Sequence, residues 1–266
     1  MPSHFGSAFS TDPVEEVYLP RAPLVMALAQ VRFPQCPELI DEDHLGQLRD
    51  RFKARYPILR EDKAVGFLVS AGGVVEGPPA ERIIRFNDKA ETWQVSVGQS
   101  FIALNTSTYS TRDDFCTRFE EIVTVAADVA SPPIFDRVGI RYINRFTGDG
   151  LAELGSLIAE PFLGLTSVDL TPASVVQSFT QTILHLLGGE ITARWGLLPA
   201  GAVLDPALAP VDTRSWILDV DVYQERKGDF VAAEIGRQTR QYADIAYRFF
   251  RMAATDNLLR HAGGQA

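Results

Sequence analysis

The chain has 266 residues, of which 46% are hydrophobic, and it carries a formal net charge of −9 at pH 7. A chain of this length and apolar content can bury a sizeable core, which excludes intrinsic disorder of the whole chain. The negative charge argues against broad, non-specific nucleic-acid binding, because no net positive field attracts phosphates.

Cysteine usage and hydropathy indicate a reducing, aqueous compartment. Cys36 and Cys116 are far apart in the sequence, so they predict two buried thiols rather than a disulfide framework. The N-terminal stretch MPSHFGSAFSTDP has no charged region followed by an apolar one, so no signal peptide is evident. No apolar run reaches the roughly 18 residues that a membrane span needs. We therefore expect a cytoplasmic protein that does not enter a membrane.

The first part of the chain predicts an extended lead over residues 1–22 and a first α+β half over residues 23–147. Apolar alternation predicts strands here. Apolar residues at helical spacing predict helices, one of which Asp41 can cap and another of which begins at Thr111 or Ser110. The predicted elements in order are a strand at 24–33, a helix after Asp41, a strand near 65–70, a glycine-containing loop at 72–79, strands at 82–86, 92–97 and 101–106, a helix from about 111 to 130, and a strand at 137–146. The loop at 72–79 lacks the spacing of a phosphate-binding loop.

A second α+β half is predicted over residues 151–266, after a glycine-containing break. Its predicted elements are a short helix and loop at 151–172, strands at 175–187 and 191–198, a loop at 199–210, a strand at 216–223, and a long amphipathic helix at 229–261 with a break near residue 255. Strands followed by a helix occur in both halves. We therefore predict an α+β fold, in which an antiparallel sheet has helices packed on one face and comprises two related strand-strand-strand-helix halves.

The segment RVGIRYINRF at 137–146 is the most specific local pattern. Alternation along a strand separates its side chains into one face with Val138, Ile140, Tyr142, Asn144 and Phe146 and another with Arg137, Arg141 and Arg145. The three arginines and Asn144 are candidate residues for binding an anion or a partner, because guanidinium groups suit phosphate and carboxylate. The alternative is a solvated or salt-bridged structural face.

Two aspartates share one face of the predicted strand at 216–223. Asp219 and Asp221 are two residues apart, a spacing at which carboxylates can hold Mg²⁺ in metal-dependent nucleotide enzymes. The alternatives are that these aspartates pair with the arginines of the strand at 137–146 or are exposed to solvent. The sequence contains no GxSxG, HExxH or CxxC motif, so it predicts neither a catalytic residue nor a cofactor.

Several segments resemble a sporadically distributed family of bacterial proteins of about this length. They are RYINR at 141–145, WQVSVG at 93–98 running into FIALN at 101–105, LDVDVY at 218–223, and the closing helix that ends in ATD at 254–256. The resemblance runs through nearly the whole chain in the same order. A patchy distribution implies mobile or accessory genes, such as those of phage defence or toxin–antitoxin systems. The family has no assigned catalytic or cofactor residues, so none is carried over.

The leading functional hypothesis is a non-enzymatic binding protein of a bacterial accessory or defence-type system, which recognises a protein partner or an anionic ligand. One alternative is a metal-dependent enzyme that acts on a nucleotide or phosphorylated substrate, with the arginines holding phosphate and the aspartates holding Mg²⁺. Another is a structural subunit of a homo-oligomer. The terminal helix is a candidate partner or dimer surface because of its aromatic residues, which are Tyr242, Tyr247, Phe249 and Phe250.

Overall fold

The structure of the protein, a computed structural model, describes residues 16–64, 67–70, 73–76, 81–205 and 208–264. Residues 1–15 of the predicted lead lie outside the described residues. So do parts of the predicted strand near 65–70 and of the glycine-containing loop at 72–79.

Along the chain, groups of strands are separated by helices. The strands are β1 (Leu24–Arg32), β2 (Ile58–Ala64), β3 (Phe67–Ser70), β4 (Gly73–Glu76), β5 (Glu81–Asn87), β6 (Trp93–Val97), β7 (Phe101–Thr106), β8 (Ile134–Phe135), β9 (Arg137–Phe146), β10 (Ser178–Leu186), β11 (Gly189–Leu198), β12 (Ser215–Gln224) and β13 (Gly228–Asp229). The α-helices are α1 (Glu42–Phe52), α2 (Arg112–Ala130), α3 (Gly148–Ala152), α4 (Leu154–Leu157), α5 (Glu160–Leu163), α6 (Ala232–Ala253) and α7 (Asp256–His261). Short 3₁₀ helices lie at Pro37–Ile40 and Gly164–Ser167.

Helix ends follow the capping chemistry that the sequence predicts. The side chains of Asp41 and Thr111 accept hydrogen bonds from backbone N–H groups in the first turns of α1 and α2. Thr255 caps α7 in the same way, so the predicted break in the terminal helix is confirmed. None of the helices in the described part of the chain is both long and apolar enough to cross a membrane.

A nine-stranded antiparallel sheet organises the fold, in the order β10-β11-β12-β9-β1-β7-β6-β5-β2. Strands β1 and β9 lie side by side, so strands from the earlier part of the chain continue outward from β1 and strands from the later part continue outward from β9. Along the chain β5-β6-β7 are followed by α2, and β10-β11-β12 are followed by the two-residue strand β13 and then by α6. The predicted α+β class with an antiparallel sheet is confirmed.

The main core lies between one face of the sheet and the helices. In β9 this face, which we call the helix face, carries Val138, Ile140, Tyr142, Asn144 and Phe146. Its apolar residues pack with those of α2 and α6, and the two helices also contact each other. The opposite face, which we call the arginine face, carries Arg137, Arg141 and Arg145. A smaller apolar cluster covers part of it, where the loop after β11 packs on Ile143 and Ile217.

Two strands of the first half differ from the sequence prediction. Strand β2 has no predicted counterpart, because its sequence ILREDKA has four charged residues and lacks the apolar alternation of a half-buried strand. It forms because it pairs along the edge of the sheet with β5, where Arg60, Glu61 and Asp62 are exposed. Strand β4 (Gly73–Glu76) lies where the sequence predicts a loop, since this segment pairs antiparallel with β3.

Candidate functional site: a salt-bridged sheet face and a tyrosine-lined pocket

Strand β9, which carries the three arginines, lies directly beside strand β12, which carries Asp219 and Asp221. Strands β9 and β12 pair antiparallel, with Arg141 opposite Asp221. Arg141 donates two hydrogen bonds to Asp219, from Nε to Oδ1 at 2.7 Å and from Nη2 to Oδ2 at 2.8 Å. Arg194 on β11 donates to the same Oδ2 at 2.6 Å. Asp219 is fully buried, so this is a bidentate ion pair shielded from water.

Arg141 is held by a second carboxylate as well. Its Nη1 donates to Asp205, which lies in the loop between β11 and β12. Although burial opposes the charged form, the carboxylates of Asp219 and Asp205 raise the pKa of Arg141 above its ordinary value. This guanidinium therefore remains charged, and three of its N–H groups are engaged by aspartates.

Arg137 is paired at the other end of β9. Its Nη2 donates to Asp221 at 3.0 Å, and its guanidinium carbon lies 4.5 Å from the ring centre of Tyr223. Glu225 is a more distant ionic neighbour at 3.9 Å. Burial raises the pKa of the Asp221 carboxyl, and the charges of Arg137 and Arg141 oppose that rise.

Arg145 differs from the other two arginines because no acidic side chain among the described residues pairs with it. Its Nη1 donates to the carbonyl of Ala209 at 2.9 Å. Its Nε and Nη2 atoms are buried without a hydrogen-bond partner in the described part of the chain. Burial lowers the pKa of Arg145 accordingly.

Asn144 does not lie with the arginines. Strand alternation places it on the helix face, where it is buried and donates from Nδ2 to the carbonyl of Leu218 at 3.5 Å. The structure therefore brings Arg137 and Arg141 together with Asp219 and Asp221 but separates Asn144 from all four by the thickness of the sheet.

Both aspartates that the sequence offers to a metal already accept hydrogen bonds from guanidinium groups. A divalent cation at this position would have to displace those groups. Within residues 16–264, apart from the gaps in the described ranges, no group of three or more His, Cys, Asp or Glu side chains is arranged to hold a metal ion.

A pocket of about 80 Å³ opens on the helix face, where the N-terminal lead meets α2, β9 and α6. We call it the tyrosine pocket. Its lining includes Glu16, Leu19, Leu24, Tyr109, Ser110, Arg112, Tyr142, Asn144, Ala243, Tyr247 and Phe250. A space of this size holds several water molecules or one small chemical group. Aromatic walls with a few polar groups are typical of ligand sites in proteins.

The lead forms one wall of this pocket through specific hydrogen bonds. The Glu16 carboxylate accepts from the Tyr109 hydroxyl at 3.1 Å and from the backbone N–H of Arg112 at 3.1 Å. Arg112 is the first residue of α2, so the carboxylate also meets the positive end of that helix. The backbone N–H of Val17 donates to the Tyr247 hydroxyl at 2.9 Å.

The guanidinium of Arg112 is fixed beside the pocket by the terminal helix. It donates to Asp244 at 2.8 Å, and its carbon lies 5.8 Å from the ring centre of Tyr247. The second oxygen of Asp244 accepts from Arg248 at 2.7 Å. Asp244 is therefore shared by two guanidinium groups, and it fixes the position of Arg112 beside the pocket.

The interior of the pocket contains hydroxyl groups that remain protonated. Burial raises the pKa of Tyr109, with Tyr142 and Glu16 adding to the rise, and burial also raises the pKa of Tyr142. The Tyr142 hydroxyl is buried, and its hydrogen-bonding neighbour is the hydroxyl of Tyr109. The neighbouring thiol of Cys116 is fully buried, and burial raises its pKa to about 12. At neutral pH these groups can donate hydrogen bonds but are poor bases and nucleophiles.

Several of these residues escape sequence reasoning. Arg194 and Asp205 join the ion-pair network, and Glu16, Tyr109 and Arg112 build the pocket, but none belongs to a local motif. No sequence pattern identifies them, because they come from separate segments that meet only through the packing of the sheet and the helices. Tyr142 lies on the apolar side of its strand, as strand alternation predicts. Its ring packs edge-to-face on that of Tyr109, with the two ring centres 5.6 Å apart.

No protein-family model matches the sequence, and no curated protein matches it either. The resemblance to a sporadically distributed bacterial family therefore stays a prediction.

Proposed function

We propose that this chain is a non-enzymatic binding protein that recognises a protein partner at the tyrosine pocket. The observation that carries the proposal is the tyrosine pocket itself, which opens to solvent and is lined by the rings of Tyr109, Tyr142, Tyr247 and Phe250. The Glu16 carboxylate lies at its edge, so the lining offers apolar contact area together with a polar group.

The chemistry of the pocket favours recognition over catalysis. Burial holds the hydroxyls of Tyr109 and Tyr142 and the neighbouring thiol of Cys116 in their protonated forms, because it raises the pKa of each. Tyr109, Tyr247 and Phe250 offer apolar contact area with little loss of side-chain entropy, which is typical of residues that anchor protein interfaces. An apolar side chain of the partner that carries a hydrogen-bonding atom fits this lining.

The other hypotheses receive less support from the contacts. An anionic ligand on the arginine face would have to compete with the carboxylates that already bind Arg137 and Arg141. A metal-dependent enzyme would need Asp219 to release two guanidinium groups. The bacterial accessory or defence-type setting rests on the family resemblance and belongs to the proposal.

The test is binding of the purified chain to the products of adjacent genes, measured by isothermal titration calorimetry. Ser110→Trp places a bulky ring at the mouth of the pocket, where Ser110 is exposed. Ser107→Trp is the matched control, since Ser107 is also exposed but does not line the pocket.

We expect the unmodified chain and the Ser107→Trp variant to bind one of these products equally well, and Ser110→Trp to bind at least tenfold more weakly. Equal binding by both variants would refute recognition at the pocket. If none of the neighbouring products binds, the proposed partner class is wrong.

A further inference from the structure

The two edges of the nine-stranded sheet differ in how they meet solvent. Strand β2 forms one edge, and four of its seven residues are charged. Arg60 and Glu61 on this strand make ion pairs with neighbouring side chains. Charges on an edge strand prevent other chains from pairing with it, so this edge is protected.

Strand β10 forms the opposite edge and has no such protection. Its sequence SFTQTILHL contains no lysine, arginine, aspartate, glutamate or proline. Among the described residues β11 is its only pairing partner, so the outer backbone N–H and C=O groups of β10 pair with no described strand. On the same face of this strand Phe179 is 40% exposed and Ile183 is 52% exposed.

Exposed apolar residues are concentrated around this edge. Of the ten large hydrophobic residues that are exposed in the described part of the chain, seven lie between residues 165 and 187. They are Leu165, Val168, Leu170, Val176, Phe179, Ile183 and Leu187. The 3₁₀ helix at Gly164–Ser167 contacts β10, so the first of these residues lie near the edge. A concentration of this kind marks an interaction surface.

The topology of the sheet gives β10 a counterpart in the first half of the chain. Strands β5-β6-β7 precede α2 as β10-β11-β12 precede α6, so β10 holds the position that β5 holds in the first half. Strand β5 is covered on its outer side by β2. The corresponding position beside β10 is not filled by any described strand of this chain.

We propose that a second copy of this chain fills that position, with β10 pairing antiparallel to β10 of the second copy around a two-fold axis at Ile183. The sequence of the strand is self-complementary in this register. The two Ile183 side chains face each other across the axis, and Phe179 lies opposite the turn that carries Leu187 of the second copy, so exposed apolar residues meet on both sides of the axis.

Charge restricts where two identical copies can meet, and the charged β2 edge limits the assembly to two chains. Each chain carries a net charge of −9, so identical copies repel unless they meet at a surface without acidic residues, and β10 is such a surface. A two-fold contact between identical edges is closed, and the charged β2 edge does not extend it. The product is therefore a dimer whose sheet continues across both copies.

The first test is oligomeric state by size-exclusion chromatography with light scattering at about 1–100 µM, a range that detects micromolar dissociation constants. We expect the unmodified chain to be a dimer at the upper end. Ile183→Lys should give a monomer that keeps the circular dichroism spectrum of the unmodified chain. Leu59→Lys is the matched control, since Leu59 is similarly exposed on the β2 edge, and it should remain a dimer.

The second test fixes the register by oxidative cross-linking. In the proposed pairing the Cα atoms at position 183 lie about 4.5–5.5 Å apart across the axis, which is within the range that disulfides span, so Ile183→Cys should form a disulfide between copies. Gln181→Cys is the control on the same face, because its two copies lie about 14 Å apart along the strands. The native thiols of Cys36 and Cys116 are buried and give little background.

Four outcomes would overturn the proposal. A monomer at 100 µM, about a hundredfold above a micromolar dissociation constant, excludes the dimer. A dimer that survives Ile183→Lys places the interface elsewhere, and a ladder of larger assemblies excludes two-fold closure. Equal cross-linking at positions 181 and 183 contradicts the register. None of these results depends on whether the tyrosine pocket binds a partner.

Discussion

Replacing Asp219 by asparagine removes the charge at the centre of the arginine face while keeping the shape of the side chain. In the folded protein Asp219 is fully buried and accepts hydrogen bonds from Arg141 and Arg194, and the Arg141 side chain is only 13% exposed. The substitution therefore leaves guanidinium charges in a poorly solvated position without their main counter-charge.

The size of the effect follows from the burial of the pair. Removing one partner of a buried ion pair destabilises a protein by about 3–5 kcal/mol, because the remaining charge is uncompensated. For a chain of this size that loss corresponds to a fall in melting temperature of roughly 10 °C. We expect Asp219→Asn to show both changes in urea and thermal unfolding followed by circular dichroism.

A surface pair supplies the control for this measurement. Arg55 and Glu121 are also ion-paired, but each side chain is about half exposed, so Glu121→Gln should change the free energy of unfolding by less than about 1 kcal/mol. The double variant of Asp219→Asn with Arg141→Met should lose less stability than the two single variants added together. A loss below about 1 kcal/mol for Asp219→Asn would refute the argument that this face is held together by buried charge.

Three further predictions concern β9, β11 and β12. Arg145→Met should change the free energy of unfolding by less than about 1 kcal/mol or increase it, because no carboxylate loses a partner; chemical denaturation measures this, and a loss as large as that of Asp219→Asn contradicts it. Because the pKa of Asp221 is raised in the folded state, its contribution to stability is full below about pH 4 and falls as the pH rises through that raised pKa. The stability of Asp221→Asn relative to the unmodified chain should therefore increase from pH 4 to pH 7. The opposite slope in urea unfolding at these pH values would show that the pKa of Asp221 is not raised. Gly196 has a φ of +146°, and an added Cβ would lie 1.9 Å from the carbonyl oxygen of Ser178. Gly196→Ala should therefore lower the free energy of unfolding by about 2 kcal/mol or more and weaken the protection of β10 amides in hydrogen exchange. Unchanged protection would contradict the close approach of Gly196 to Ser178.

Local patterns in the sequence predict much of the secondary structure. Alternation along residues 137–146 separates the arginines from the apolar side chains as the structure does, because strand geometry alone sets that alternation. Caps at Asp41, Thr111 and Thr255 are local as well, since each side chain bonds to a backbone group three residues away. Strand β2 escaped prediction because its pairing with β5, rather than its own composition, makes it a strand.

The candidate site was less accessible to sequence reasoning. The sequence offers an arginine face and an aspartate pair, and it leaves open whether the two meet. Their meeting depends on β9 and β12 being neighbours in one register, which is a property of the whole sheet. The tyrosine pocket depends on four segments far apart in the sequence, which contribute Glu16, Tyr109, Tyr142 and Tyr247.

The sequence by itself determined the α+β class, the apolar and basic faces of β9, and the ends of the main helices, because each depends on contacts within a few residues along the chain. Tertiary structure alone decided that Arg141 is bound by Asp219 and Asp205, that Arg145 has no acidic partner among the described residues, and that β10 lies at an open edge. These outcomes depend on which strands become neighbours, and that choice is made by burying the whole core rather than by any one segment.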